Sequence, residues 1–98
     1  MNFQKVDQKK LEYASDIFKG FGNPIRIRII DALQNKGLRV KDLSEMIGYP
    51  QPIISQQLKI LKGAGIVQKV KDGGNFCYQL TNHHFVDMIR CMRGCLGV

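Results

Sequence analysis

At 98 residues the chain has the length of one small domain, which buries only somewhat more than roughly 60% of its unfolded surface, so a dimer would add to its stability. Hydrophobic residues make up 44% of the sequence and charged residues 23%, which excludes a disordered or fibrous chain. The formal net charge of +7 favours a polyanionic partner such as nucleic acid, although a basic surface can also serve solubility alone.

The start of the chain and its cysteines predict the cellular compartment of the protein. The first ten residues, MNFQKVDQKK, contain no apolar core of signal-peptide length, and nowhere do about 18 apolar residues follow one another. We therefore expect a cytoplasmic protein with no membrane contact. Three cysteines, Cys77, Cys91 and Cys95, argue against a disulfide framework in a reducing compartment, because their number is odd. They are expected to be free thiols, metal ligands or redox groups.

Two helices are predicted before residue 37, and both have the pattern of a scaffold. The first is capped by Asp7, ends in Gly20 and Gly22, and carries apolar residues at steps of three and four: Leu11, Ala14, Ile17, Phe18 and Phe21. The second has Asn23 as N-cap and Pro24 at its first position. It stops before Gly37 and directs four apolar residues inward: Ile25, Ile29, Ile30 and Leu33.

The segment from Val40 to Val67 predicts a helix-turn-helix. After a short extended stretch over residues 38–40, a third helix runs over residues 41–47 and ends at Gly48. The turn is Tyr49-Pro50-Gln51-Pro52, whose prolines stop the third helix, while Pro52 suits the first turn of a fourth. No Asp or Glu lies between Glu45 and Asp72. An acid-free stretch of this kind is typical of a surface that faces phosphates.

The rest of the chain predicts a wing and a last helix. Residues 66–71 and 75–80 are predicted strands, joined by Asp72-Gly73-Gly74 in a hairpin. A last helix from Asn82 to about Leu96 has one apolar stripe that is free to meet another helix: Phe85, Ile89, Met92 and Leu96. The predicted fold is mainly α with a small β-hairpin wing (α+β), one winged helix-turn-helix domain over residues 1–98, dimeric through its last helix.

The fourth helix has a clear reading face. On a helical wheel, Ile54, Leu58 and Leu61 form the buried line and Gln56 lies nearly opposite. Glutamine can bond to an adenine edge, serine to a base or phosphate, and lysine to phosphate oxygens. Such a face can be merely solvated, but the proline-fixed turn and the basic wing favour DNA. The predicted DNA-binding residues are Gln51, Pro52, Ser55, Gln56, Gln57, Lys59, Lys62, Lys69 and Lys71.

Several motifs spread over nearly the whole chain share one family pattern: GNPIRIRII at 22–30, Asp42-Leu43, ISQQLKIL at 54–61, GIV at 65–67, Asp72-Gly73 and Tyr78-Gln79-Leu80. Through them the chain resembles the ArsR family of winged helix-turn-helix repressors. The resemblance implies a homodimer, paired through its first and last helices, on a palindromic operator that an inducer makes it release. The family commonly has His at Gln57 and a Ser-type cap at Pro50, departures that should alter base preference and not fold.

Two metal sites of the family are not expected here. The site on the third helix needs two cysteines flanking a valine, and this chain has Arg39-Val40-Lys41, whose cations would repel a metal ion. The site on the last helix aligns with four residues, of which only His84 and Cys95 are good zinc donors: Asn82, His84, Cys95 and Val98. We predict no required cofactor, with zinc or another thiophilic ion as the alternative.

The candidate sensor is a soft-donor line on the last helix, formed by Cys91, Cys95, His84 and Met88. It could bind arsenite or copper(I), with Cys77 as a third thiolate, or act as a thiol switch. Thiol-sensing relatives pair a cysteine at the position of Asp31 with one nearer the chain end, and an intrachain bond between Cys91 and Cys95 would distort the helix. A disulfide between subunits would not. Equally, both cysteines could simply pack a helix interface.

Other functions are less well supported by the residues. No Ser-His-Asp or Cys-His spacing, phosphate-binding glycine loop or carboxylate pair appears, so an enzyme is not expected. The alternative function is a winged-helix protein-interaction module without specific DNA binding, because function depends on sites and not on folds.

Overall fold

The computed structural model describes residues 7–97, which form helices and one two-stranded hairpin. In chain order these are α1 (Gln8–Phe21), α2 (Pro24–Ala32), α3 (Val40–Ile47), α4 (Gln51–Gly63), β1 (Val67–Asp72), β2 (Asn75–Leu80) and α5 (His84–Leu96). The hairpin is antiparallel and lies between α4 and α5 in the sequence. Within the described range, none of the helices combines the length and the hydrophobicity that crossing a bilayer requires.

The starts of α1 and α2 are set by local side-chain caps, as the sequence predicts. The Asp7 carboxylate accepts a hydrogen bond of 2.8 Å from the backbone N–H of Lys9. Asn23 Oδ1 accepts from the N–H groups of Ile25 (2.9 Å) and Arg26 (3.2 Å), and Pro24 occupies the first turn. These bonds satisfy N–H groups that have no partner inside the helix.

The predicted starts of the third and last helices are wrong. Val40 is already the first residue of α3, so the extended stretch before it consists of Leu38 and Arg39. Leu38 forms a bridge to Tyr78 through two backbone hydrogen bonds of 3.0 and 2.8 Å. This bridge adds one residue to the outer edge of β2. The last helix begins at His84, after the N-cap residue His83, and the side chain of Asn82 accepts a hydrogen bond of 2.9 Å from the N–H of His84.

One hydrophobic core lies between α2, α3, α4 and α5 and extends to the start of β1. Its members are buried apolar side chains: Ile29, Ile30, Leu33, Leu38, Leu43, Ile54, Leu58, Leu61, Ile66, Val67, Phe85 and Ile89. The inward residues predicted for α4 all belong to it. The core therefore holds α4 by one side and leaves its other side to solvent.

Helix α1 is attached to this core only along one side. Gly20 is its one fully buried residue among those described, while Leu11 and Phe18 are exposed, Phe18 by 68% of its surface. At the other end of the chain Leu96 is also exposed. Apolar side chains on α1 and α5 thus remain uncovered within the protomer, on the two helices predicted to form the dimer interface.

We expect Gly20→Ala to destabilise the fold, because a Cβ at this position would lie 2.3 Å from Ile66 Cδ1 in the buried core. Overpacking of this kind costs about 1 to 3 kcal/mol of the free energy of unfolding. Gly63→Ala is the matched control, since a Cβ added there would meet no other atom within 4 Å. It should be neutral or stabilise by up to about 1 kcal/mol. Urea denaturation compares the two, and equal stabilities would contradict the close packing at Gly20.

Candidate nucleic-acid interface

The turn before α4 fixes where the candidate reading helix begins. Gly48 ends α3 with a φ of 86°, a left-handed conformation that suits glycine. Ser44 Oγ then donates a hydrogen bond to the carbonyl of Tyr49. Pro50 is the N-cap residue of α4 and Gln51 is already its first residue, so the turn is two residues shorter than predicted at this end. Gly48, Tyr49 and Pro50 connect α3 to α4, and Pro52 lies in the first turn of α4.

The outer side of α4 presents a polar and basic surface. The side chains exposed along this helix include most of the predicted contacts: Gln51, Pro52, Ser55, Gln56, Lys59 and Lys62. Opposite them Ile54, Leu58 and Leu61 are fully buried, which confirms the predicted inner line. Ile53 is half-buried beside the outer face. The core thus orients α4 so that amide, hydroxyl and ammonium groups face outward together.

Gln57 does not belong to this outer surface. Its side chain is half-buried, and its Oε1 accepts a hydrogen bond of 2.9 Å from Arg26 Nη1 on α2. A glutamine that reads an adenine needs this oxygen as an acceptor. In the structure this oxygen is therefore engaged within the protomer, and the DNA contact predicted for Gln57 stays a prediction. The sequence offered no signal for the pairing, because the two residues are distant in the chain.

The hairpin forms the wing in a register slightly different from the prediction. Asp72 pairs with Asn75, so the turn consists of Gly73 and Gly74 alone, with φ of 63° at Gly73. The predicted placement of Asp72 in the turn is wrong, and so is that of Ile66 in the strand, since β1 begins at Val67 and Ile66 belongs to the core.

An exposed aromatic ring accompanies the lysines of the wing. Lys69 Nζ lies 4.4 Å from the ring centroid of Phe76, a cation–π arrangement, and Lys71 faces Phe76 directly across the ladder. Phe76 is 49% exposed. It was not among the predicted DNA contacts, although an aromatic residue in an exposed strand beside lysines was a usable signal.

The candidate interface is uniformly basic. Lys59 and Lys62 on α4 and Lys69 and Lys71 on the wing are all exposed, and all four belong to the acid-free stretch. The first acid after it, Asp72, has its carboxylate 3.9 Å from Arg39 Nη2. Positive charge therefore dominates both elements, as a surface for phosphates requires.

The three thiols of the chain lie in different environments. Cys91 and Cys95 are exposed on α5, whereas Cys77 is half-buried on β2 beside Gly37, where an added Cβ would lie 2.9 Å from its Sγ. Across residues 7–97 no three His, Cys, Asp or Glu side chains are grouped to hold a metal ion. The predicted three-thiolate site is therefore not assembled within one protomer.

Of the four positions that align with the family's metal site on the last helix, His84 and Asn82 have other partners. His84 Nδ1 lies 3.6 Å from Asp87 Oδ2, and both side chains are well exposed. The side-chain oxygen of Asn82 is engaged in the hydrogen bond from the N–H of His84 described above. Val98, the last of the four aligned positions, lies outside the described residues. Within a protomer, His84 and Cys95 remain as isolated soft donors.

Asp31 occupies the position at which thiol-sensing relatives would carry a cysteine on the second helix. Its carboxylate accepts hydrogen bonds from Arg93 on α5 and from Gln34, and the first of these is an ion pair. Helices α2 and α5 are thus linked here by charge. Because this position holds Asp31 and not a cysteine, this chain cannot form a disulfide between α2 and α5 here.

The order of the elements defines the class of protein. A helix pair joined by a tight turn, followed by a two-stranded wing and a final helix, is a winged helix-turn-helix domain. Residues 23–69 match the family described as "Bacterial regulatory protein, arsR family". An uncharacterized HTH-type transcriptional regulator of Methanocaldococcus jannaschii, MJ1325, is 44% identical over 83 residues, 84% of this chain and 93% of that protein. The chain belongs to the ArsR family of transcriptional regulators.

Two further relatives extend the comparison. The HTH-type transcriptional repressor SmtB of Mycobacterium tuberculosis is 34% identical over 79 residues, which are 81% of this chain and 58% of that protein. The chain thus spans less than two thirds of the length of SmtB. The structure of HlyU from Vibrio cholerae superposes with a TM-score of 0.80 at 26% identity, covering 91% of this chain and 97% of that one.

Proposed function

We propose that the protein is a sequence-specific DNA-binding transcriptional repressor that acts as a homodimer in the cytoplasm. One observation carries the proposal: the buried line of α4 turns an exposed row of amide, hydroxyl and ammonium groups outward, beside a basic wing. In this proposal Gln56 reads a base edge, Ser55 contacts a base or phosphate, and the lysines contact phosphates. Membership of a family of transcriptional regulators supports the same function.

The exposed apolar side chains on α1 and α5 support the dimer. Phe18 and Leu96 are each about two thirds exposed, at 68% and 67%, and a second copy would bury them. Two-fold symmetry would set the two recognition helices about 34 Å apart, in successive major grooves on one face of the duplex. An imperfect palindrome is the operator that such a dimer would bind.

Fluorescence anisotropy with DNA from the region upstream of the gene tests the proposal. We expect binding that weakens steeply with salt and that prefers the upstream DNA over a scrambled duplex. Binding without preference, or no binding, would contradict the repressor and favour a winged-helix protein-interaction module.

Lys69→Ala should weaken binding to all DNA sequences alike and lower the slope of log affinity against log salt by about 1, because a phosphate contact carries no sequence information. Lys10→Ala, on the exposed side of α1, is the matched control for loss of one positive charge. An equal effect of both substitutions would show that Lys69 acts only through net charge.

We also propose that the effector acts on α5, through Cys91 and Cys95. Both thiols are exposed within the protomer and lie on a helix of the proposed dimer interface. The DNA titration should be repeated with zinc, arsenite, copper(I), an oxidant and a persulfide. Cys91→Ser and Cys95→Ser should abolish the response to the active agent, whereas Cys77→Ser should keep it. Absence of any response would assign the cysteines to interface packing.

A further inference from the structure

The Arg26 side chain joins three helices through a single guanidinium group. Its Nε donates to the carbonyl oxygen of Gly20 at 3.0 Å and its Nη2 to that of Lys19 at 3.0 Å, both at the end of α1. Its Nη1 donates to Gln57 Oε1 on α4 at 2.9 Å. Because the donors of arginine are held in one rigid plane, these three acceptors are fixed relative to one another.

The α1 end of this arrangement is a favourable place for a cation. The last carbonyl groups of a helix have no donor inside the helix, and they carry the negative end of its dipole. Gly20 also packs so closely on Ile66 that a Cβ there would lie 2.3 Å from Ile66 Cδ1. The last turn of α1 is therefore held firmly. Arg26, which belongs to α2, connects this turn to α4 through its hydrogen bonds.

The α4 end lies next to the proposed reading face. Gln57 follows Gln56 directly, so the two side chains leave the helix about 100° apart and turn together when α4 rotates about its axis. Side chains reach about 5 to 6 Å from the axis, and a rotation of about 15° would move the end of Gln56 by about 1.5 Å. A bidentate bond to a base does not survive such a shift.

The core sets which side of α4 is buried, through Ile54, Leu58 and Leu61, and apolar contacts are not directional in themselves. The hydrogen bond between Arg26 and Gln57 does have a directional requirement. Among residues 7–97 it is the side-chain hydrogen bond that ties α4 to another helix.

We propose that Arg26 is a positioning residue that couples α1 to the recognition helix: through Gln57 it sets the rotation of α4 and hence the direction of Gln56. The inference rests on the proposed function and goes beyond it. Leu11 and Phe18 on α1 are exposed, and in the proposed dimer a shift of α1 would reach the reading face through the Arg26 side chain.

Four variants test the coupling: Gln57→Met, which keeps the size but removes the acceptor; Arg26→Lys, which keeps the charge but loses the planar donors; the double variant; and Arg28→Lys as control. Arg28 is exposed on the same helix and has no side-chain hydrogen bond among the described residues. Anisotropy gives the affinities for upstream and scrambled DNA, and thermal unfolding gives the stability of each variant.

We expect each single variant to lose about tenfold in preference for upstream over scrambled DNA, as for one hydrogen bond to a charged group. Affinity for scrambled DNA should stay within about twofold, because phosphate contacts persist. The double variant should lose no more than either single one, since both remove the same bond. Arg28→Lys should behave like the parent.

Three results would overturn the coupling. They are unchanged preference in both single variants, multiplied losses in the double variant, and equal weakening on both DNAs in step with lower stability, which indicates a merely structural role. A parent protein without preference for upstream DNA would instead contradict the proposed function, and the coupling with it. The two failures are therefore distinguishable.

Discussion

Leu58→Ala is expected to lower the free energy of unfolding by about 2 to 5 kcal/mol, a large part of the total for a domain of this size. Leu58 is 0% exposed at the centre of the inner line of α4, where it packs in the core with Ile54 and Leu61. Removing its side chain leaves a cavity that the surrounding helices cannot fully close, in addition to the lost burial of apolar surface. Urea denaturation followed by circular dichroism measures the change.

Ile60→Ala is the control for this experiment. Ile60 lies two residues further along the same helix but is 44% exposed, so its truncation removes a similar apolar volume from a largely solvated position. We expect a loss well below that of Leu58→Ala, about 1 kcal/mol or less. Similar losses for the two variants would contradict the orientation of α4.

Gln56→Ala is expected to cost about 1 to 3 kcal/mol of binding free energy on the operator, if the amide makes two hydrogen bonds to an adenine. Its affinity for scrambled DNA should change little, because the lysines proposed to contact phosphates remain. The side chain is exposed opposite the buried line, so the fold should keep its stability. Anisotropy on both duplexes measures the loss of preference directly.

Gln8→Ala is the matched control, since Gln8 is an exposed glutamine at the start of α1, away from α4. It should leave affinity and preference unchanged. If the Gln56 variant keeps the preference of the parent, the proposed base contact is wrong. An equal loss of affinity for both duplexes would indicate that Gln56 contacts the DNA backbone and not a base.

The two large effects concern opposite sides of one helix. Leu58 holds α4 in the core and Gln56 faces outward, so the same rotation that buries one exposes the other. Stability and recognition are therefore carried by different residues of α4 and can be measured separately. Gln57, between the two, is half-buried and bonds to Arg26.

Local signals in the sequence predicted most of the fold. Asp7 and Asn23 cap their helices through residues two or three positions away, and Gly73 supports the hairpin turn by its own positive φ. The inner line of α4 follows from helical periodicity alone. Such features depend on neighbours in the chain, so a single sequence contains the information for them.

The features that the sequence could not predict depend on distant residues. The bridge from Leu38 to Tyr78 joins positions 40 residues apart in the chain, so no local pattern predicts it. The separation of Cys77 from the α5 thiols is of the same kind, because a helical wheel relates residues on one helix and not residues on different elements.

By itself, the sequence determined that this chain forms a winged helix-turn-helix of the ArsR family with a basic outer face on α4, because caps, periodicity and charge are properties of neighbouring residues. Only the tertiary structure decided which side chains of that face are free to meet DNA. Packing brought Arg26 against Gln57 and engaged the side-chain oxygen of that glutamine within the protomer, and it placed Phe76 under the ammonium of Lys69 on the wing. Both outcomes depend on how separate elements approach one another in space.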